Sequence, residues 1–401
     1  MASAEMAGKN GPKKDGEGTL GWLRERNRRR VLEVLREQGQ ISQAEIARTT
    51  GLSRTTISTL VAELKGSGLV NELEPRVPDA RGGRPAAQLV LPASQEAVLG
   101  IDFGHSHVQV AVADLAHSVL AERRCELDVN HQAIQALDAS ASMAVEVLEE
   151  AHVRRADIVG VGIGIPGPVD HARGTVGSAT ILPGWLGLRI PQEIEQRLAL
   201  PVAIENDANL GALAERTWGA GRDCSDFAYI KAATGIGAGL IIDGRLLRGA
   251  SGTAGEIGHT TLDESGALCY CGNRGCLETV ASGPAIVALV GQYNGEPLTL
   301  GRVIDLALHG DVRCRRAISD AGREIGVAVA GLCNLINPQR VIIGGLLSGA
   351  GELLLQPIRD SIRRHAVLAA AESVDVVAAV FVERAELLGT LALALQRARA
   401  A

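Results

Sequence analysis

No apolar run in this sequence reaches the ~18 uninterrupted residues of a membrane-spanning helix, which argues against an integral membrane protein. The N-terminus lacks the apolar core of a secretory signal, and residues 1–18 are polar, bear glycine and lysine, and read as a disordered tail. The expected location is the cytoplasm. A disulfide framework is missing too, because the seven cysteines are an odd number and a cytoplasmic chain keeps its thiols reduced. Lysine is scarce beside arginine and alanine is abundant, which reflects a GC-rich genome rather than a binding surface.

What is present is the composition of a soluble globular protein, 46% apolar and 21% charged. The 401 residues suffice for two or three domains. The net charge of −6 conceals an asymmetry: residues 1–90 carry 15 Lys and Arg against 11 Asp and Glu, or +4, and the remainder carries −10. The two parts are expected to meet different partners.

Residues 19–92 read as a winged helix-turn-helix. Between Trp22 and Gln38, the residues Leu23, Val31, Leu32, Val34 and Leu35 fall at helical spacing, and Gly39 ends the helix. Ser42 and Glu45 form a capping box ahead of a second helix, Gln43 to Thr50, because each satisfies a free N–H of the other. Gly51 permits a sharp turn, and Ser53 caps a third helix, Arg54 to Lys65, with Ile57, Leu60, Val61 and Leu64 on its apolar face. Its other face presents Ser53, Arg54, Thr55, Thr56 and Ser58, donors suited to base edges in a major groove. Gly68 to Val70 and Gln88 to Leu91 read as the strands of a wing, and the loop between them carries Arg81 and Arg84, which suit a narrow minor groove. The other reading of this segment is a three-helix protein-binding module.

From residue 97 to 401 the pattern is α/β. Strand, glycine turn and strand occur at Val98 to Asp114 and again at Phe227 to Asp243, around Thr234-Gly235-Ile236-Gly237-Ala238-Gly239. A duplicated fold with a cleft between two lobes follows, with one lobe at about 97–220 plus a last helix at 385–397, and the other at about 221–384. Turn N–H groups from both lobes can face one polyphosphate where glycine lets the backbone approach; an ordinary hairpin is the other reading of each turn. Further pieces are a strand ending in Gly164-Ile165-Pro166-Gly167, a strand running into Asn206-Asp207, and a strand at Arg340 to Ile343 ending in Gly344-Gly345.

The loop 256–278 carries His259, Cys269, Cys271 and Cys276, a Cys3His set that suits tetrahedral zinc with no open position, so the metal is expected to be structural. Cys125, Cys224, Cys314 and Cys333 read as inert core residues.

Through Asp102-Phe103-Gly104, Gly164 to Gly167, Glu205 to Asn209, Thr234 to Gly239, Glu256 to His259 and the cysteine cluster ending in Glu278, residues 97–401 resemble the ROK family of repressors, open reading frames and sugar kinases. The N-terminal module is similar to its repressor branch. The resemblance implies a two-lobe sugar-kinase-like domain of the actin-like, ribonuclease H-like ATPase type. It makes Asn206, Asp207, Glu256, His259 and Glu278 the contacts to sugar hydroxyls, with Asp207 as the base in kinases; the other reading of Asp207 is an N-cap. Nucleotide contacts fall to Asp102, Gly104, Thr234, Gly235, Gly237, Gly344 and Gly345. Family kinases carry Gly-Gly-Thr where this chain has Gly104-His105-Ser106, so the His105 imidazole is expected to hinder the phosphate. The expectation is a sugar-responsive repressor that binds operator DNA as a dimer or tetramer and takes a sugar or sugar phosphate as effector. The alternatives are an ATP- and Mg2+-dependent sugar kinase with a DNA-binding arm, and a zinc-stabilised scaffold that binds no sugar.

Overall fold

The computed structural model describes residues 27–28, 30–32, 34–35, 38–66, 70–73, 87–90, 96–115, 117–176, 181–291 and 298–398. The chain divides into two compact units, Met1–Ser94 and Gln95–Ala401. Among the described residues no helix is long and apolar enough to cross a membrane.

The first unit holds β1 (Ile41–Ser42), α1 (Gln43–Thr50), α2 (Arg54–Gly66), β2 (Asn71–Leu73) and β3 (Gln88–Val90). Both halves of the capping box form: Ser42 Oγ accepts from the Glu45 N–H at 3.3 Å, and Glu45 Oε2 accepts from the Ser42 N–H at 3.0 Å. Gly51 leaves α1 in the left-handed region with φ of 69°, where a Cβ would be strained. Ile46 from α1 meets Ile57, Leu60, Val61 and Leu64 from α2, and Val31, Leu35 and Leu89 close the core around them. β3 pairs antiparallel with both β1 and β2, so Leu89 lies opposite Ile41 on one side and Glu72 on the other.

Of the expected wing strand Gly68 to Val70 only Val70 is described; it is buried in the core and lies just before Asn71, where the described pairing begins. Gly68, Leu69 and Leu91 lie outside the described residues, as do Trp22, Leu23 and the loop bearing Arg81 and Arg84.

The second unit is built on two five-stranded sheets of one topology. In the first, β4 (Ala97–Phe103), β5 (His107–Asp114) and β6 (Val119–Glu126) form an antiparallel meander. β7 (Ile158–Ile165) then joins β4 in parallel, and β10 (Val202–Asn206) joins β7, after the hairpin β8 (Val169–Asp170) and β9 (Thr175–Val176). In the second, β11 (Phe227–Ala232), β12 (Ile236–Ile242) and β13 (Arg245–Leu246) repeat the meander, and β14 (Arg340–Gly344) and β15 (Asp375–Ala378) the parallel addition. Parallel strands need crossovers, which α3 (Ala133–Glu150) and α4 (Ile190–Leu198) supply to the first sheet.

Two helices fill the space between the sheets. α5 (Asp207–Thr217) follows β10 and packs on β11 and β12, whereas the last helix, Ala385–Ala398, packs on β4 and β7 and along α5. Leu210, Leu213, Phe227, Tyr229 and Leu393 share one cluster there, and Val98, Ala111, Leu387 and Leu391 another. Because β10 ends at Asn206 and α5 begins at Asp207, residues 205–207 form the turn from the first sheet into this helix.

Candidate functional site

The turn from β10 into α5 fixes the first polar pair. Asn206 is the N-cap: its Oδ1 accepts from the N–H groups of Ala208 and Asn209 at 2.9 and 3.2 Å, and its Nδ2 donates to the Gly167 carbonyl at 3.0 Å. The alternative reading of Asp207 as the N-cap therefore falls to Asn206 instead. Asp207 is the first helical residue, and its Oδ2 accepts from Lys231 Nζ at 2.8 Å. Lys231 also lies 2.8 Å from Glu386 Oε1. Burial works against the ammonium, but these two carboxylates outweigh it and hold Lys231 well above the ordinary lysine range.

Facing this pair are the acids of the long loop. Glu256 is pushed up to about 7 by burial and by the nearby negative charges of Asp207 and Glu278. Glu278 opens a short helical turn, and its Oε1 accepts from the Ile236 N–H at 2.8 Å. A Cβ on Gly235 would come within 2.5 Å of that oxygen, so a larger residue there would have to displace the Glu278 carboxylate. The other oxygen, Glu278 Oε2, is buried with no hydrogen-bond partner among the described residues, although the Tyr270 hydroxyl stands near the carboxylate. A buried acceptor left without a donor costs about 1–3 kcal/mol, which a ligand hydroxyl would recover.

His259 connects the acids to the cysteines. Its Nε2 lies 3.2 Å from Tyr270 Oη and 3.8 Å from Glu256 Oε2, while its Nδ1 lies 3.6 Å from Cys269 Sγ. Cys271 and Cys276 sulfurs are 3.7 Å apart, and all four ligand atoms lie within 4.8 Å of one another. Bonds of about 2.3 Å to a tetrahedral metal would set thiolates about 3.8 Å apart, so the donor set fits a metal ion. The thiols are free rather than disulfide-bonded. Gly275, at φ of 59° with a Cβ that would fall 1.6 Å from the Asp263 carbonyl, lets the loop fold back on itself. Cys314 and Cys333 are buried, and burial pushes each thiol up to about 11; Cys125 and Cys224 are half-buried and pack against the core from its edge.

The first glycine turn differs from expectation in one side chain. His105 turns away, its Nδ1 lying 2.8 Å from Asn130 Oδ1. The imidazole that fills the turn is that of His107, which lies 3.3 Å from Asp102 Oδ2 and directly over Gly104. In the second turn Thr234 is exposed, with Gly235 and Gly237 half-buried, whereas Gly344 and Gly345 are buried against Tyr229 and Ala232. In the first unit Ser53, Arg54, Thr55 and Ser58 are exposed at the start of α2, and Thr56 is half-buried with its N–H donated to Ser53 Oγ at 3.1 Å.

A family model described as "ROK family" matches residues 98–397. The chain belongs to the ROK family. Ahead of its ROK domain, residues 25–82 match a model of the MarR family, a helix-turn-helix assignment that agrees with the fold of the first unit. Among ROK relatives, the xylose repressor of Caldicellulosiruptor bescii is 32% identical over 94% of this chain and 97% of its own. The DNA-binding transcriptional repressor Mlc of Escherichia coli is 30% identical over 93% of each chain. A crystal structure of a ROK family transcriptional regulator, a homologue of E. coli Mlc, superposes with a TM-score of 0.71 at 28% identity, over 94% of this chain and 96% of that one.

Lys231 and Glu386 escaped the sequence reading. One signal was available: between residues 66 and 401 Lys231 is the only lysine of a chain that otherwise uses arginine. A lone charged residue in the strand Phe227–Ala232, next to the glycine turn, marks a position where a compact ammonium serves and a guanidinium does not.

Proposed function

We propose that the chain is a sugar-responsive transcriptional repressor of carbohydrate genes, which binds operator DNA through its helix-turn-helix and senses a sugar in the cleft of its ROK domain. The observation that carries this reading is the buried Glu278 Oε2, which has no hydrogen-bond partner among the described residues, with His259 3.8 Å from Glu256 and with Asp207 and Glu278 acting on Glu256 by their charge. Carboxylates accept from hydroxyl donors, and the Asn206 amide both donates and accepts, which is the chemistry a polyol presents. A neutral sugar at Glu278 would supply the missing donor.

A structural zinc held by His259, Cys269, Cys271 and Cys276 would brace the loop, and through His259 it would orient the side that faces Glu256. In the first unit, Arg54, Thr55 and Ser58 are available to base edges, with Ser53 and Thr56 at the helix start, and Arg81 and Arg84 are assigned to the DNA backbone or minor groove. Operator recognition by a two-fold homodimer and a cytoplasmic location complete the reading.

Two observations weigh against sugar phosphorylation. His107 occupies the first glycine turn beside Asp102, and Lys231 holds the carboxylate of Asp207. Phosphoryl transfer depends on positioning and on charge stabilisation, so both would impede it. The test is a thermal-shift screen against pentoses, hexoses and N-acetylhexosamines, run beside a coupled assay of ADP release. The reading expects a melting shift with at least one sugar, since ligand at 100 times its Kd stabilises by about 2.7 kcal/mol. Turnover at the ~1–100 per second of ordinary kinases would replace it with the enzyme reading.

A further inference from the structure

Outside the cleft, a cavity of about 600 Å³ opens along β10, the edge strand of the first sheet. Its size is that of a small-molecule site. Four arginines, Arg173, Arg189, Arg248 and Arg397, line it together with His171, against a single lining carboxylate, Glu195. They come from four separate places: the β8–β9 hairpin, the start of α4, the loop after β13, and the last helix. Arg173 and Arg248 already face the carboxylates of Asp170 and Glu205, so an anion in the cavity would chiefly neutralise Arg189 and Arg397.

Three of the four are already oriented. Arg173 Nη1 donates to Asp170 Oδ2 at 3.0 Å, Arg397 Nη1 donates to the Val202 carbonyl at 2.8 Å, and Arg248 Nε donates to Glu205 Oε2 at 2.6 Å. Each of these bonds uses one edge of the fork and fixes its plane. The Arg189 side chain forms no ion pair or hydrogen bond among the described residues, and it stands at the N-cap of α4, where the helix end adds partial positive charge. Glu205 is fully buried behind Arg248, and it also accepts from the Asn209 amide at 2.9 Å and from the Asn206 N–H at 3.0 Å. Arg248 is therefore shared between this cavity and the polar turn that bears Asn206.

We propose that this cavity is a second ligand site, separate from the sugar cleft, that takes a phosphate monoester. A phosphoryl group offers three acceptor oxygens to planar guanidinium forks, a match that a single carboxylate does not make. Glu205 competes with the phosphoryl group for Arg248.

The experiment is calorimetric titration of the full chain with inorganic phosphate, glucose 6-phosphate, glucose and succinate. Saturable binding is expected for phosphate and more tightly for glucose 6-phosphate. Arg189→Gln is expected to weaken both by about tenfold, in line with the loss of one charge-assisted hydrogen bond. Glu205→Gln, which frees Arg248, is expected to tighten both, a gain that a merely structural Glu205 would not give. Asp207→Asn should leave phosphate binding unchanged. The proposal is overturned by absence of saturable phosphate binding, by unchanged affinity in Arg189→Gln, by succinate binding as tightly as phosphate, or by loss of phosphate binding in Asp207→Asn, which would move the anion into the cleft. A failure of the sugar screen leaves the inorganic-phosphate readouts intact, because they depend on neither a sugar nor DNA.

Discussion

Lys231 Nζ lies 2.8 Å from Asp207 Oδ2, so the carboxylate proposed for the sugar site is engaged by a cation. Glu386 takes the same ammonium from the last helix. One lysine thereby ties the end of β11, the start of α5 and the start of the last helix together. Removal of the cation leaves two poorly solvated carboxylates facing each other. Lys231→Met is expected to cost about 3–5 kcal/mol in urea unfolding, the range for breaking a buried pair on one side. Lys231→Arg should recover only part of this loss, because a planar fork does not fit where a compact ammonium bridges two acids. A loss under about 1 kcal/mol for Lys231→Met would mean that the triad is not a structural tie.

The metal centre makes a stoichiometric prediction. The purified chain should release one zinc per molecule on acid treatment, and Cys276→Ser should abolish it and lower the melting temperature, since a structural zinc supplies folding free energy. Cys314→Ser, at a buried thiol remote from the cluster in sequence, should keep the full metal content. Equal zinc in both variants would remove the assignment.

Glu278 is the acid whose loss should be felt most in sugar binding. Its Oε2 has no hydrogen-bond partner among the described residues, so Glu278→Gln keeps the shape and removes the acceptor charge. The expected result is a fall in affinity of at least about tenfold for the effector sugar, read from the ligand-induced melting shift. An undiminished shift would place the sugar elsewhere.

The buried Glu205 predicts a pH dependence. Burial raises its pKa, but His171, Arg248, Asn209 and the Asn206 N–H together outweigh burial and hold it below the ordinary value of 4.5. A folded value below the unfolded one means that the ionised form favours the fold. That contribution is complete above 4.5 and is lost as pH falls through the folded value. Glu205→Gln should therefore lower the urea midpoint at pH ~7, and the gap from the parent chain should narrow in acid below the unfolded value. A gap that widens in acid would contradict the sign.

The two families of arginine in the first unit should separate by phenotype. Arg54→Ala is expected to relax sequence discrimination by about 1–3 kcal/mol at one base position. Arg84→Ala should weaken all duplexes alike and reduce the salt slope by about one. Identical behaviour of the two variants would undo the division between base and backbone contacts.

Much of this architecture could be read in the residues because its signals are local. The Ser42 and Glu45 capping box, Gly51 and the cap at Ser53 each act within one turn of chain, and both helices stand where those residues put them. The paired sheets follow from a repeated strand and glycine-turn pattern, and the His259 and cysteine cluster from ligand spacing. The misreadings involve tertiary choice. Val70 stands one residue ahead of the described pairing, a boundary that local propensity does not set. His105 and His107 are equally available to the first turn by sequence, and the partner Asn130, 25 residues on, draws one of them away. Asn206 and Asp207 are adjacent cap formers, and only the position of Lys231 separates their roles.

The measurement that bears most directly on a sugar-responsive repressor is operator affinity with and without sugar. Fluorescence anisotropy on the DNA upstream of the chain's own gene and of neighbouring carbohydrate genes should find one duplex bound more tightly than a scrambled control at constant salt. The account predicts that the sugar identified by thermal shift changes that Kd by at least about fivefold, and that Glu278→Gln binds the same duplex without responding. Equal affinity with and without every sugar that binds the cleft would contradict it.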